Sequence, residues 1–266
     1  MEENRVESLG ARGIEPELRD SKSAKSREEA AVLLGRTATD FESSLFNFGI
    51  DVDLKDPSHY AFYLGQGGLG LPDRDYYLKP DFATQKAAYQ TYVASLLRLV
   101  NWPEAEARAK DVVDLETKFA QASWPKAQQR DPIATYNPMT VAELTKFAPG
   151  FPWSDFLAAA KMEKLPKVIV AEKSAFPKLA QVYHSAPLET IQEWQELNVA
   201  DNDTPSRPQP VTEAHMPWNE QPLSGDRGPH KRRRDCSTPT SSRSSPRVHR
   251  AGHAGPIGAR RARRAE

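Results

Sequence analysis

Apolar and polar positions change their period along this chain, and each change marks an element. Phe46, Phe48, Ile50 and Val52 alternate with Asn47, Gly49 and Asp51. That two-residue period predicts a half-buried strand. Lys55-Asp56-Pro57-Ser58 is turn chemistry, and Tyr60 to Leu64 forms a second β-type run. A hairpin is therefore expected. From Asp81 the period becomes helical: Phe82, Tyr89, Val93, Leu96, Leu97 and Val100 share one face, with the Lys86 stem at its edge. The spacing predicts a helix over 81–100. Pro103 suits a first helical turn, so 103–122 is a second helix, with Val112, Leu115 and Phe119 inward.

Shorter helices flank this pair. Ser26 and Glu29 stand at capping-box spacing ahead of Ala30, Ala31, Leu33 and Leu34, and Gly35 reads as a stop. Residues 37–45 read as another short helix. Thr140 and Glu143 repeat the capping-box spacing before Leu144 and Phe147, and Ser154 or Asp155 reads as a cap for Phe156-Leu157. Val168-Ile169-Val170 is a strand or an extended segment. Residues 172–183 and 187–196 each read as a helix, the latter opened by Pro187. The expected fold class is mainly α, a helical lobe with one small β-hairpin and a disordered basic tail.

Between the hairpin and the first long helix lies the densest local punctuation, Gly68-Leu69-Gly70-Leu71-Pro72-Asp73-Arg74-Asp75-Tyr76-Tyr77-Leu78. Gly67, Gly68 and Gly70 permit backbone angles closed to other residues. Pro72 fixes its own φ and pushes Leu71 toward an extended conformation. Asp73, Arg74 and Asp75 are expected to pair locally beneath Tyr76 and Tyr77. The segment reads as an ordered, packed loop.

Charge divides the chain more sharply than pattern does. Residues 203–266 hold 13 Lys and Arg against 6 Asp and Glu; of 36 and 36 in total, that leaves 23 against 30 for residues 1–202. The tail is basic, with Lys231-Arg232-Arg233-Arg234 and Arg260-Arg261-Ala262-Arg263-Arg264, and it carries nine prolines. Such composition buries too little apolar surface to offset chain entropy, which predicts disorder. The expected organisation is a disordered N-terminus at 1–13, one helical domain at 14–200 and a disordered Pro/Arg-rich tail at 201–266. Lys/Arg clusters attract phosphates, but no aromatic platform interleaves the arginines, so no specific nucleic-acid role is expected. The single cysteine, Cys236, excludes an internal disulfide framework. No apolar run approaches the roughly 20 residues of a membrane span. Met1-Glu2-Glu3-Asn4-Arg5 lacks the basic and apolar regions of a secretory signal, so the chain as written has no visible export route, and its native compartment is left unassigned.

Several motifs, in order, resemble the N-terminal domain of the neprilysin-like zinc metallopeptidases, the family with endothelin-converting enzyme and bacterial oligopeptidase O. They are Phe48-Gly49 through Asp53, Lys55-Asp56-Pro57, the glycine turn from Gly68 to Leu78, and Leu115-Glu116. Arg130-Asp131, Tyr136-Asn137-Pro138-Met139-Thr140, Phe151-Pro152-Trp153 and Pro187-Leu188-Glu189-Thr190 follow. The resemblance covers roughly residues 14–196. It implies an endopeptidase that cleaves small peptides, with two largely helical lobes enclosing a cavity and zinc held in the C-terminal lobe. There a His-Glu-x-x-His helix supplies two ligands on one face and a general base.

This chain departs from that pattern. The family's opening Tyr-rich segment is absent, and no His-Glu-x-x-His occurs. Faint echoes at Val199-Ala200-Asp201-Asn202, Ala214-His215 and Leu223-Ser224-Gly225, set in Arg/Pro-rich sequence, suggest a reading-frame disruption. The expectation is a partial N-terminal domain that is inactive alone, with zinc implied for the intact enzyme and no ligand for it here. Its partners would be the missing C-terminal catalytic lobe and, in the intact enzyme, small peptides. The alternatives are a non-catalytic helical peptide-binding module and a basic-tail nucleic-acid binder. His249-Arg250-Ala251-Gly252-His253 has zinc-helix spacing, but Arg250 stands where the base is needed and Gly252 opposes a helix. His59, His184 and His215 are isolated. No residue is assigned catalysis. Gly68, Gly70, Leu71, Pro72, Arg74, Asp75, Tyr76, Tyr77, Tyr136, Asn137, Met139 and Thr140 are family-signature residues with structural roles.

Overall fold

In the computed structural model, which describes residues 22–39 and 44–202, helix formers and β-branched runs sort into a helical body around one small sheet. Helix α1 (Arg27–Thr39) begins where Ser26 Oγ accepts from the Glu29 amide at 3.2 Å, while the Glu29 carboxylate accepts from the Lys25 amide at 2.6 Å. The helix does not stop at Gly35. A Cβ at that position would lie 2.3 Å from the Phe156 carbonyl oxygen, so the glycine admits a neighbouring helix, α7 (Trp153–Ala159). A residue that usually ends helices here sits inside one because two backbones must nearly touch.

Strands β1 (Phe46–Asp53) and β2 (Asp56–Gln66) form the expected hairpin, Phe46 opposite Gln66 and Val52 opposite Tyr60. Its turn is tighter than the sequence suggested. Only Leu54 and Lys55 separate the strands, and Pro57-Ser58 already belongs to β2. The sheet is also larger than one hairpin. Val168–Val170 forms a strand, β4, running parallel to β2, and Asn137–Met139 forms β3, antiparallel to β4, giving the order β1-β2-β4-β3.

After the short α2 (Asp75–Leu78), helices α3 (Ala83–Leu99) and α4 (Ala105–Ala122) pair as predicted. Tyr89, Val93, Leu96 and Leu97 are buried on α3, and Val112, Leu115 and Phe119 on α4. Pro103 lies outside α4, whose N-cap is Glu104 in the left-handed region at φ 54°. The single-turn α5 (Lys126–Gln129) follows. Thr140 caps α6 (Val141–Phe147) through both arms of the predicted capping box. Helix α7 has Pro152 at its N-cap; neither Ser154 nor Asp155 caps it, because both lie inside its first turn.

Helix α8 is Phe176–Ser185, and α9 runs from Leu188 to Asn202, longer than its apolar pattern suggested. Phe46, Phe151, Trp153 and Phe176 form an aromatic centre, with Phe46 and Trp153 ring centroids 4.5 Å apart and Trp153 stacked on Phe176 at 11°. The described residues thus make a mainly α structure with one four-stranded sheet. The expected helix over 37–45 is met on α1 as far as Thr39 and not at Ser44-Leu45, which lead into β1, with 40–43 outside the described residues; the expected disordered segment 1–13 lies wholly outside them, and of the tail expected at 201–266 only Asp201 and Asn202 are described, as the helical end of α9.

Candidate functional site

The glycine turn sits where the hairpin base, α3, α4 and α9 converge. Of its glycines only Gly68 needs a positive φ, at 83°. The other two serve close approach instead. A Cβ on Gly67 would meet the Ser44 carbonyl oxygen at 2.2 Å, and one on Gly70 would meet the Tyr89 hydroxyl at 1.9 Å.

That hydroxyl belongs to a buried network. Tyr77 Oη accepts from the Leu71 amide at 2.9 Å and donates to Glu116 Oε2 at 2.7 Å, while Tyr89 Oη donates to Glu116 Oε1 at 3.0 Å. The turn, α2, α3 and α4 are thereby joined at one fully buried carboxyl group. Burial pushes Glu116 up to about 7, against the hydrogen bonds from the two tyrosines. Burial likewise drives both phenols well above their usual range. With two phenols donating to it and no cation against it among the described residues, the carboxyl group anchors structure rather than performing chemistry.

The charged residues of the turn do not pair with one another as expected. Asp73 Oδ1 accepts from the Asp75 amide at 2.8 Å, Asp75 pairs with Lys79 at 2.6 Å, and Lys126 Nζ stands 3.9 Å from Asp73 Oδ2. One turn of α2 carries Asp75 toward Lys79. The Arg74 guanidinium is left out, its Nε buried without a partner. Tyr76 stacks on Phe82 at 4.3 Å. Leu71 is buried and Pro72 exposed.

The second group of signature residues gathers at the hairpin turn and along β3. Tyr136 Oη donates to Asp53 Oδ1 at 2.6 Å, and Lys167 Nζ meets Asp53 Oδ2 at 2.7 Å. These two side chains, with the Lys55 amide, hold the Asp53 carboxylate far below its ordinary range. The hairpin turn is thus tied to β3 and to the approach to β4. Asn137 Nδ2 donates to the Ala134 and Val170 carbonyls at 2.7 and 3.0 Å, Met139 is buried, and Thr140 caps α6. The two signature groups occupy separate places and do not make a single site.

Sequence reasoning missed the polar groups buried on α9. Glu193 pairs with Arg108, and Glu196 accepts from the Trp102 indole with Lys22 Nζ 3.8 Å away. Burial pushes these carboxyls up to about 7 and about 8. No pattern in the sequence signalled their burial.

Two surface features remain. A cavity of about 190 Å³ lies beside the glycine turn, walled by Arg74, Trp124 and Lys126 among others. The far end of the hairpin exposes Ile50, Val52, Leu54 and Tyr60, with Ile50 at 66% and Tyr60 at 77% of full exposure. Among the described residues no three His, Cys, Asp or Glu side chains are grouped to hold a metal ion, and none of the helices there is long and apolar enough to cross a membrane. His59 pairs with Asp56, and His184 lies by a wider groove with Lys25 and Asp155. Cys236, His215, His249 and His253 fall outside the described residues.

A family model for peptidase family M13 matches residues 1–248. The chain belongs to peptidase family M13. The match reaches past the motif-bearing residues 14–196 at both ends. Human endothelin-converting enzyme 1 is 33% identical over 119 residues, 43% of this chain and 16% of that protein. Rat endothelin-converting enzyme-like 1 is 28% identical over 152 residues, 54% of this chain and 20% of that protein. Among solved structures, the Mycobacterium tuberculosis zinc metalloprotease Zmp1 in complex with an inhibitor superposes with a TM-score of 0.81 at 26% identity, over 86% of this chain and 36% of that one. The chain thus spans about a fifth or less of these curated relatives and about a third of this solved one. Family M13 membership places it among zinc metallopeptidases at the family level. The zinc that the family implies does not fit the residues present: His-Glu-x-x-His is absent from the sequence, and the described residues offer no ligand cluster.

Proposed function

We propose that this chain is part of the N-terminal, substrate-enclosing lobe of an M13 zinc metallopeptidase acting on small peptides, and that alone it neither holds catalytic zinc nor hydrolyses peptides. The observation that carries the reading is the superposition on about a third of a zinc metalloprotease by a segment lacking the His-Glu-x-x-His pair. In the whole enzyme the catalytic lobe would supply the metal, its ligands and the general base. This lobe would wall the cavity and limit entry to small peptides.

The hairpin agrees with that role. Its apolar face is buried at the base, where Phe46, Phe62 and Leu64 lie in the core, and emerges at the tip as Ile50, Val52 and Tyr60. An apolar face that runs from a core into solvent fits a surface completed by further protein.

The test is a peptidase assay on the purified chain with a panel of fluorogenic peptides, with and without added zinc, alongside metal analysis. No turnover and no stoichiometric zinc are expected. Turnover that a chelator abolishes would overturn the reading. Titration of the same peptides without turnover separates an inert lobe from a peptide-binding module, for which saturable binding is required.

A further inference from the structure

Helix α9 changes its footing near Glu196. Ile191, Trp194 and Leu197 lie in the main core, whereas Val199 and Ala200 pack with Val100 and Trp102 in a small separate apolar cluster. Trp102 touches both clusters. Its indole N–H donates to Glu196 Oε2, and Lys22 and Arg108 stand over its ring at 4.9 and 4.8 Å.

Glu196 is fully buried and poorly solvated by its neighbours. Its Oε1 accepts no hydrogen bond from the described residues. Lys22 Nζ is 3.8 Å from that oxygen and donates instead to the Val100 carbonyl at 3.0 Å. One indole donor and an ammonium beyond hydrogen-bond reach do not replace the water that a carboxylate loses on burial. Burial therefore pushes Glu196 up to about 8. Glu193, one turn earlier, shares Arg108 with Glu189, and its charge opposes ionisation of Glu196. Around this face α4 contributes Arg108, Asp111 and Glu116. α3 contributes Tyr92, which donates to Asp201, and α1 the Ala30 carbonyl, which accepts from Gln195 at 2.6 Å. Among these groups acids outnumber cations.

We propose that the last turn of α9 is a pH-sensitive strap: seated on Val100 and Trp102 while Glu196 is neutral, it lifts when Glu196 ionises and admits water to the carboxylate. The small cluster is the part that yields, because Leu197 and Trp194 keep the rest of the helix in the main core. With the turn lifted, Glu196 titrates near its ordinary 4.5; with the turn seated, near 8. The seated form is therefore fully favoured below about 4.5 and loses that advantage as the pH rises to about 8. Opening should increase by more than about tenfold between pH 6 and pH 8 and then level off.

Two measurements on the full chain test this. Hydrogen exchange of residues 198–202, with labelling times scaled to the intrinsic rate at each pH, should show that rise. The Trp102 ring resonances, assigned by Trp102→Phe, should titrate with a midpoint near 8. Those of Trp124, whose indole donates to Ser174, should stay in place. Glu196→Gln, neutral throughout, should remove both responses. Lys22→Met alters a partly exposed side chain and leaves Glu196 in place; it should move the midpoint upward, because a nearby cation favours the carboxylate. Glu193→Gln should move it downward. Exchange that does not rise, a Trp102 titration unchanged in Glu196→Gln, or a midpoint unmoved by Lys22→Met would overturn the proposal.

Discussion

At the scale of single residues, the glycine turn is specified by contact more than by backbone freedom. Gly70 lies against the Tyr89 hydroxyl that donates to Glu116. Gly70→Ala should therefore displace Tyr89 and destabilise the fold by about 1–3 kcal/mol, the usual cost of overpacking. Urea unfolding of the two proteins checks it; equal midpoints would show that the turn yields freely.

Glu116 makes a second residue-scale prediction. In the unfolded chain its pKa returns to about 4.5, and in the fold it is about 7. A folded carboxyl group raised in this way contributes stability that is fully present below about 4.5 and is lost as the pH rises through about 7. The interval corresponds to on the order of 3 kcal/mol. Wild-type stability should fall between pH 5 and pH 8. Glu116→Gln, neutral throughout, should flatten part of that fall, leaving a slope from Glu193 and Glu196, which are raised in the same direction. Denaturation midpoints at both pH values decide it; an unchanged slope in the variant would remove Glu116 as a source.

At the scale of elements, propensity and packing point in opposite directions at Gly35. In an open helix, glycine to alanine stabilises by about 1 kcal/mol. Here the new methyl group would press on the Phe156 carbonyl and on Ala159 of the crossing helix. Gly35→Ala should thus lower the melting temperature, with a net cost of about 1–2 kcal/mol once the helix gain offsets part of the overpacking. A raised melting temperature would show that α1 and α7 slide apart at little cost.

The same contrast explains what the sequence made legible. The hairpin and the α3–α4 pair follow from their periods, and the Thr140 cap follows from residue types three apart. The motifs from Phe48 to Thr190 were enough to indicate the family. What the sequence left open or missed depended on distant partners. Val168–Val170 becomes a strand only because β2 and β3 lie beside it. Gly35 looks like a stop until α7 is in place. Glu116, Glu193 and Glu196 look solvated until phenols, Arg108 and Lys22 arrive from elsewhere in the chain. The cavity wall that Arg74 shares with Trp124 and Lys126 joins residues too far apart in sequence for any local motif to connect.

At the scale of the whole molecule, the hairpin is where the chain's architecture and its family meet. Four of the five exposed large apolar side chains among the described residues lie on it or in its turn. A surface of this kind tends to associate unless another part of the protein covers it. β1 also ends the sheet, and an edge strand offers backbone groups for pairing. Studied alone, the chain should self-associate through this hairpin as its concentration rises. Ile50→Lys combined with Tyr60→Lys places like charges on that face and should shift sedimentation toward the monomer. Because both side chains are already exposed, stability should change by no more than about 0.5 kcal/mol per site. If instead the double variant unfolds, the tip carries more of the fold than its exposure indicates. If it self-associates as before, the adhesive surface lies elsewhere.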